Sequence, residues 1–263
     1  MSRHSSAAPD STTPDTVAPD TVTVVSYNIQ YGEDLALALA DLRATRRLRE
    51  ADVYLLQEMH GDGTDSLARV LGCDYVYHRA SVSPHHERGF GNAVLSRWPL
   101  GDHDVIVLPR AEKLTGQRRI AVVAEVRFGT RALPVVSVHT AALVSLQEDR
   151  LAQAAAAAAV PGRQSGPLVI GGDFNTASRY EANLLRRQFR HLGLREARLP
   201  EGHTMTRSVL GVIDLRFRLD HIYYRDLELV DTGIADHAEA SDHLPIWARF
   251  VFRDRRPVTR LRY

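Results

Sequence analysis

Cysteine is almost absent: Cys73 is the only one in 263 residues, so no internal disulfide can staple the fold and no oxidising compartment is needed. Long apolar runs are missing too. No stretch approaches the roughly 18 to 20 apolar residues of a membrane span, so the chain is expected to be soluble and without a transmembrane segment. Neither sign of charge is in excess. The 33 basic and 32 acidic residues leave a net charge of +1, which excludes a global field and means that local patches must hold any polyanionic partner. The first twenty residues lack the basic start and apolar middle of an export signal, and they have almost nothing to bury. They read as a disordered tail over 1–20, with a cytoplasmic monomer as the expected state.

What is present is an ordinary globular composition, 44% hydrophobic and 25% charged, enough for the core of one large α/β or β-sandwich domain. That domain is expected over 21–253, with a basic tail over 254–263. Its organising stretch is Leu168–Thr176, reading Leu-Val-Ile-Gly-Gly-Asp-Phe-Asn-Thr. Three apolar residues fit a short buried strand, and Gly171-Gly172 fit a sharp turn. In an extended chain Asp173 and Asn175 would point the same way, able to share a metal, a water or a phosphate oxygen.

The remaining chain repeats this pairing of a short apolar strand with a polar group. Thr21–Tyr27 is β-branched and ends at Asn28, which heads a turn through Gly32. Leu35–Arg49 has helical spacing with a basic face, and Val53–Gln57 ends at Glu58. Thr64–Leu71 reads as a helix closed by Gly72, and Tyr75–Tyr77 as a strand entering a polar loop with His85 and His86. Adjacent histidines face different ways, so that loop reads as exposed rather than metal-binding. Gly89–Ser96 is a glycine-flanked strand with Asn92 near its start.

Residues 104–108, 120–126 and 133–138 are spaced as an antiparallel meander, with Arg118 and Arg119 before its middle strand and His139 closing its last. Ser145–Glu148 and Ser178–Glu181 both fit capping boxes that open helices, the second of which ends at Gly193. In the last third the order reverses: Asp220 precedes the strand 221–224, and Asp242 and His243 precede 244–247. Antiparallel strands begin where their neighbours end, so all these groups can meet at one rim. Several acids gathered there require a cation or protons, and carboxylate and amide oxygens favour Mg²⁺ or Mn²⁺.

The segments Tyr27-Asn28-Ile29, Leu56-Gln57-Glu58, Gly91-Asn92-Ala93-Val94-Leu95-Ser96, Val138-His139, Gly172-Asp173-Phe174-Asn175, Leu219-Asp220-His221-Ile222 and Ser241-Asp242-His243-Leu244-Pro245 occur in the order of the endonuclease/exonuclease/phosphatase superfamily. The chain resembles that family over about Val22 to Phe252, nearest its secreted-deoxyribonuclease and sphingomyelinase-like branches. The resemblance implies an α/β four-layer sandwich, with two mainly antiparallel sheets face to face and helices outside. It implies a metal-dependent phosphodiesterase in which Glu58, Asn28 and Asp242 hold the metal. Asp173 and Asn175 would orient the attacking water, His243 with Asp220 would form the catalytic pair, and His139 would donate to the phosphoryl oxygens. Asn28, Asn92 and Arg119 are the expected substrate contacts.

Gln30 and Val138-His139 depart from the apurinic-site endonucleases, and Ile170-Gly171 with Arg218–His221 departs from the inositol-polyphosphate phosphatases. A nucleic acid or nucleotide-like ester is therefore the expected substrate. A phospholipid or sphingolipid head group, or phosphate binding without catalysis, are the alternatives.

Overall fold

The computed structural model describes residues 20–82, 89–112, 116–160, 162, 165–176, 178–209 and 212–253. His85, His86, residues 1–19 of the expected N-terminal tail and the tail 254–263 lie outside these residues. The strands are β1 (Thr21–Asn28), β2 (Val53–Met59), β3 (Asp74–Val82), β4 (Gly89–Ser96), β5 (Leu100–Val107), β6 (Ile120–Phe128), β7 (Arg131–His139), β8 (Leu168–Asp173), β9 (Arg195–Glu196), β10 (Met205–Val209), β11 (Ile213–Phe217), β12 (Asp220–Arg225), β13 (Leu227–Ile234) and β14 (Ile246–Phe252). The helices are α1 (Leu35–Ala44), α2 (Arg46–Arg49), α3 (Gly61–Leu71), α4 (Gln147–Ala158) and α5 (Arg179–His191).

Two six-stranded sheets form, in the orders β13-β14-β1-β2-β4-β3 and β5-β6-β7-β8-β12-β9, beside a separate β10-β11 hairpin. Period-two alternation explains how they stack. On β1 and β2, Val22, Val24, Val53 and Leu55 join Val122, Val135, Val169 and Ile222 of the other sheet in one buried cluster. The residues between them face outward. Val25, Tyr27, Tyr54 and Leu56 pack against Ala38, Leu42, Leu67 and Leu71 of α1 and α3. On the opposite side Val136, Val138, Ile170 and Tyr223 pack against Ala157 of α4 and Leu185 and Phe189 of α5. The result is the four-layer sandwich, helices outside and sheets within.

Each sheet has one parallel pair, β1 with β2 and β7 with β8, and its other pairings are antiparallel. That mixture decides the location of the site. Strands β1, β2, β7 and β8 end at the same rim where β12 and β14 begin.

Four local expectations are corrected. The helix read over 35–49 is broken at Thr45, whose extended backbone (φ −115°, ψ 155°) ends α1 and whose hydroxyl caps α2 by accepting from Leu48 N. The capping box at Ser145–Glu148 does not form: the N-cap is Leu146, which has no side-chain oxygen to offer. At α5 the Ser178 hydroxyl does accept from Glu181 N, but the Glu181 carboxylate turns to Arg150 at 2.7 and 3.0 Å. Finally, Gly171 and Gly172 lie inside β8 rather than in a turn. Their lack of a side chain serves close approach, since a Cβ on Gly171 would stand 2.9 Å from Leu55 of the facing sheet and one on Gly172 only 1.8 Å from Val138 O.

Candidate active site

Strand register sets the site. Asp173 is the partner of His139 across the parallel β7–β8 ladder and of Asp220 across the antiparallel β8–β12 ladder, so three polar residues stand abreast at one sheet's rim. From the other sheet, Asn28 at the end of β1 donates through Nδ2 to Asp173 Oδ2 at 3.1 Å. Asn175 completes that carboxylate's hydrogen bonds by donating its backbone N–H to Oδ1 at 2.9 Å. Asn175 has φ +49°, so this is a tight turn and not the extended segment the alternation required. Its side-chain amide points to Thr140 O, 3.3 Å away.

Two imidazoles converge on the same oxygen. His243 Nε2 lies 3.7 Å and His139 Nε2 3.5 Å from Asp173 Oδ2, while His139 Nε2 is also 3.9 Å from Glu58 Oε1. Behind His243, its Nδ1 donates to Asp220 Oδ2 at 2.9 Å, which fixes the ring with Nε2 toward the rim. Both residues of this pair are buried. Among the described residues, Asp220 Oδ1 is buried without a hydrogen-bond partner. The Asp220 backbone is held by Thr204, whose hydroxyl accepts from the N–H groups of both Leu219 and Asp220.

The electrostatics follow from dryness and crowding. Burial, aided by Asp173, pushes Glu58 up to about 7, and burial, aided by Asp220, pushes Asp173 up to about 6. Burial alone would neutralise His243, but the Asp220 and Asp173 carboxylates outweigh it and raise the imidazole to about 10. His139 moves the opposite way. Burial and the neighbouring Arg119 cation hold it well below the ordinary histidine range, so it is neutral. Arg119 Nη1 stands 3.2 Å from each His139 ring nitrogen. Acceptance at Nδ1 leaves Nε2–H facing the two carboxylates, the tautomer that satisfies both sides.

All ten residues singled out in the sequence can now be placed. Asn28, Glu58, His139, Asp173, Asn175, Asp220 and His243 share the rim. Asp242 is more open, with Oδ1 4.0 Å from His243 Nε2 and its N–H donated to Gln30 Oε1. Arg119 is buried, ion-paired to Glu112 at 2.7 Å and stacked over Phe90. Asn92 gives its amide to Ile120 O and Ser137 O, so that it ties the two sheets together. Sequence reasoning missed Glu112, Thr204 and Asp41, which act through other residues and stand in no recognisable segment. Asp173, Asp220 and His243 offer ligand atoms within 4.8 Å of one another and could hold a metal ion. Two of the three are already bonded to each other, which favours a proton-holding pair over a ligand set.

Glu58 itself has φ +56°, a left-handed backbone inside the β2 irregularity opposite β4. Such a conformation costs a non-glycine residue on the order of 1 to 3 kcal/mol and persists where the surroundings enforce it. The bulge turns Glu58 toward the rim instead of along the strand's alternation.

A family profile, that of the Endonuclease/Exonuclease/phosphatase family, matches residues 25–243 and so takes in every one of these positions. The chain belongs to that family. Among its relatives is a UPF0294 protein of Vibrio parahaemolyticus, 27% identical over 216 residues that make up 82% of this chain and 74% of the relative. A UPF0294 protein of Erwinia tasmaniensis is 38% identical over 85 residues, 32% of this chain and 29% of the relative.

Among solved structures, an endonuclease/exonuclease/phosphatase protein from Beutenbergia cavernae superposes with a TM-score of 0.74 at 22% identity, covering 89% of this chain and 72% of that one. D. rerio TDP2 complexed with a single-strand DNA product gives 0.67 at 18% identity, covering 88% and 99%. ANGEL2, a 2',3'-cyclic phosphatase, gives 0.65 at 16%, covering 88% and 95%. These likenesses establish the shared fold.

Proposed function

We propose that this protein hydrolyses phosphodiesters with the help of a divalent cation, and that its substrate is nucleic acid or a nucleotide-like ester. The observation that carries this reading is the convergence of two imidazoles on Asp173 Oδ2, with Asp220 fixing His243 and Glu58 across from His139. Neutral His139 and the Asn175 amide suit donation to phosphoryl oxygens, and Asp173 suits the water that attacks in line. Asp173 suits the taking of that water's proton, and His243, which Asp220 and Asp173 hold protonated, suits donation to the phosphoryl or leaving oxygen.

The donor chemistry fits a hard cation. Glu58, mostly shielded from solvent, is raised to about 7, and with the Asn28 amide oxygen and Asp242 it makes an all-oxygen set of the kind Mg²⁺ or Mn²⁺ takes. When bound, the ion supplies positive charge for the non-bridging oxygens and the leaving oxygen. Phosphate binding without turnover is disfavoured, because anion affinity alone does not call for a carboxylate behind His243, and a buried ion pair is expensive to keep. The DNA product on TDP2 and the 2',3'-cyclic phosphatase ANGEL2 support a nucleotide-type ester.

The lipid reading has one observation in its favour: Val212, Ile213 and Leu215 of the β10–β11 hairpin are 79%, 57% and 43% exposed. The test is incubation of purified full-length chain with Mg²⁺ or Mn²⁺ and, in parallel, plasmid, oligonucleotide, small diesters and labelled lipid vesicles. Metal-dependent cleavage of nucleotide diesters, abolished by chelator and by His243→Ala, is the expected result. Cleavage of lipid alone transfers the assignment to the head-group reading, and cleavage of nothing rejects both.

A further inference from the structure

Beside the rim, a cavity of about 1200 Å³ opens between α5, the segment after β9 and the β11 strand. Two of its lining residues are chain neighbours of site residues, since Thr176 follows Asn175 and Arg218 precedes Leu219-Asp220. Its lining is strongly basic for a protein of net charge +1. Five guanidinium groups, Arg179, Arg186, Arg198, Arg216 and Arg218, stand against the carboxylates of Glu196 and Glu201.

Two of the five are engaged within the fold. Arg186 pairs with Glu196 at 2.6 Å, and Arg218 donates to Gly202 O at 2.9 Å. Glu196 is further used by His221 Nδ1 at 2.9 Å, so it neutralises none of the rest. Among the described residues, the side chains of Arg179, Arg198 and Arg216 have no hydrogen-bond or ion-pair partner. A helix or tail arginine on a convex surface is simply hydrated. Three unpaired guanidinium groups around one concavity instead reinforce each other's potential, because low-dielectric walls focus the field, and their planar forks match phosphate oxygens.

We propose that this cavity is a second phosphate subsite, holding a phosphate of the same substrate next to the one being cleaved at the rim. The assignment rests on the phosphodiesterase reading and narrows it to substrates with at least one further phosphate. The next nucleotide of a strand and the terminal group of a nucleoside diphosphate share that chemistry. Arg198, in the segment after β9, and Arg216, on β11, line the cavity, are exposed, and take no part in the rim, so removing them leaves the catalytic groups untouched.

The experiment is fluorescence anisotropy on the full chain in chelator, so that neither metal nor turnover enters. The probes are a fluorescein-labelled twelve-nucleotide single strand and a labelled nucleoside diphosphate, each titrated with wild type and with the Arg198→Ala/Arg216→Ala double variant across a salt series. Weakening of both probes by tenfold or more supports the subsite. For the strand, the logarithmic salt slope should also fall by about 0.7 for each phosphate that an arginine no longer neutralises. Weakening of the strand alone assigns the subsite to a polynucleotide. Equal affinity and equal salt slope for wild type and variant with both probes overturn the proposal.

Hydrolysis of a small one-phosphate diester with metal is measured separately on the same two proteins. Its absence in wild type rejects the phosphodiesterase reading, whereas its retention in the variant beside weakened strand binding isolates the subsite.

Discussion

Asp173 and Asp220 are direct partners across the β8–β12 ladder, and both carboxylates are buried. Like charges so placed repel unless something stands between them. Here that is His243, bonded to Asp220 at 2.9 Å and 3.7 Å from Asp173.

His243→Ala is therefore expected to do two things. Turnover on the best diester falls by a factor of about 10³ or more, the scale seen when the imidazole of a hydrolytic pair is removed. The folded chain also loses stability at neutral pH, because two buried acids lose their cation. Asp220→Asn should lower turnover less, by a factor of about 10², with the fold retained by circular dichroism. Near-normal kcat in either variant removes that residue from the reaction.

Glu58 gives a prediction in pH. Its folded pKa of about 7 lies above the ordinary 4.5, and that of Asp173, about 6, lies above 3.8. An acid raised by folding binds more protons in the folded chain, so stability falls as pH rises from the unfolded value through the folded one. The windows are pH 4.5 to 7 for Glu58 and 3.8 to 6 for Asp173. His243, raised from 6.5 to about 10, acts with the same sign in its own window, its contribution being full below 6.5 and lost as pH passes through 10.

Glu58→Gln deletes the first effect. The stability of the variant relative to wild type should rise between pH 4.5 and 7, by on the order of 3 kcal/mol in metal-free buffer. Added Mg²⁺ at pH 8 should raise the wild-type Tm and leave the variant nearly unmoved. Parallel pH curves and equal Mg²⁺ response would remove Glu58 from the ion's ligands.

Asp41 lies on α1, outside the rim, yet it anchors the segment that carries His243. It accepts from Tyr27 OH at 2.9 Å, from Glu239 N at 3.1 Å and from Ala240 N at 3.0 Å, and it is buried. Asp41→Ala leaves the buried Tyr27 hydroxyl and two part-buried N–H groups without their acceptor, which should lower stability by roughly 2 to 3 kcal/mol. Tyr27→Phe, which removes one donor together with its need, should lower it by about 1 kcal/mol. Because the loosened segment holds His243, kcat should fall in Asp41→Ala by more than in Tyr27→Phe. Equal kcat in the two variants would confine Asp41 to stability.

Much of this arrangement was legible in the residues. Short apolar runs ending in a polar group marked β1, β2, β7 and β8 as strands, and the reversal of polar and apolar order before 221 and 244 pointed to Asp220 and His243 at the rim of their neighbours. Less visible were β10, β11 and β13, whose residues are mostly exposed or half-buried and so show no clear apolar alternation. Thr45 broke a helix whose periodicity ran through it, because a cap hydroxyl is a local choice that periodicity cannot report. Glu112 and Asp41 escaped for another reason: their roles are set by partners far along the chain or in irregular loops.

Gly172 tests how tightly the rim is registered. With Val138 O only 1.8 Å from where a Cβ would sit, Gly172→Ala must push β8 from β7 just before the His139–Asp173 pairing. The expected loss is more than about 3 kcal/mol, or roughly 6 to 12 °C in Tm for a domain this size. An unchanged Tm would mean that the ladder yields there without strain.

The hydrogen bond from Asn28 to Asp173 spans 145 residues and joins the two sheets. Neither sheet owns the site. The ends of β1 and β2 bring Asn28 and Glu58, while β7, β8 and β12 bring His139, Asp173 and Asp220. A chain refolding from denaturant must close its longest loops before these groups meet, and loop closure of that length comes late. Secondary structure should therefore return ahead of turnover, and the slowest refolding phase should be the one that restores activity.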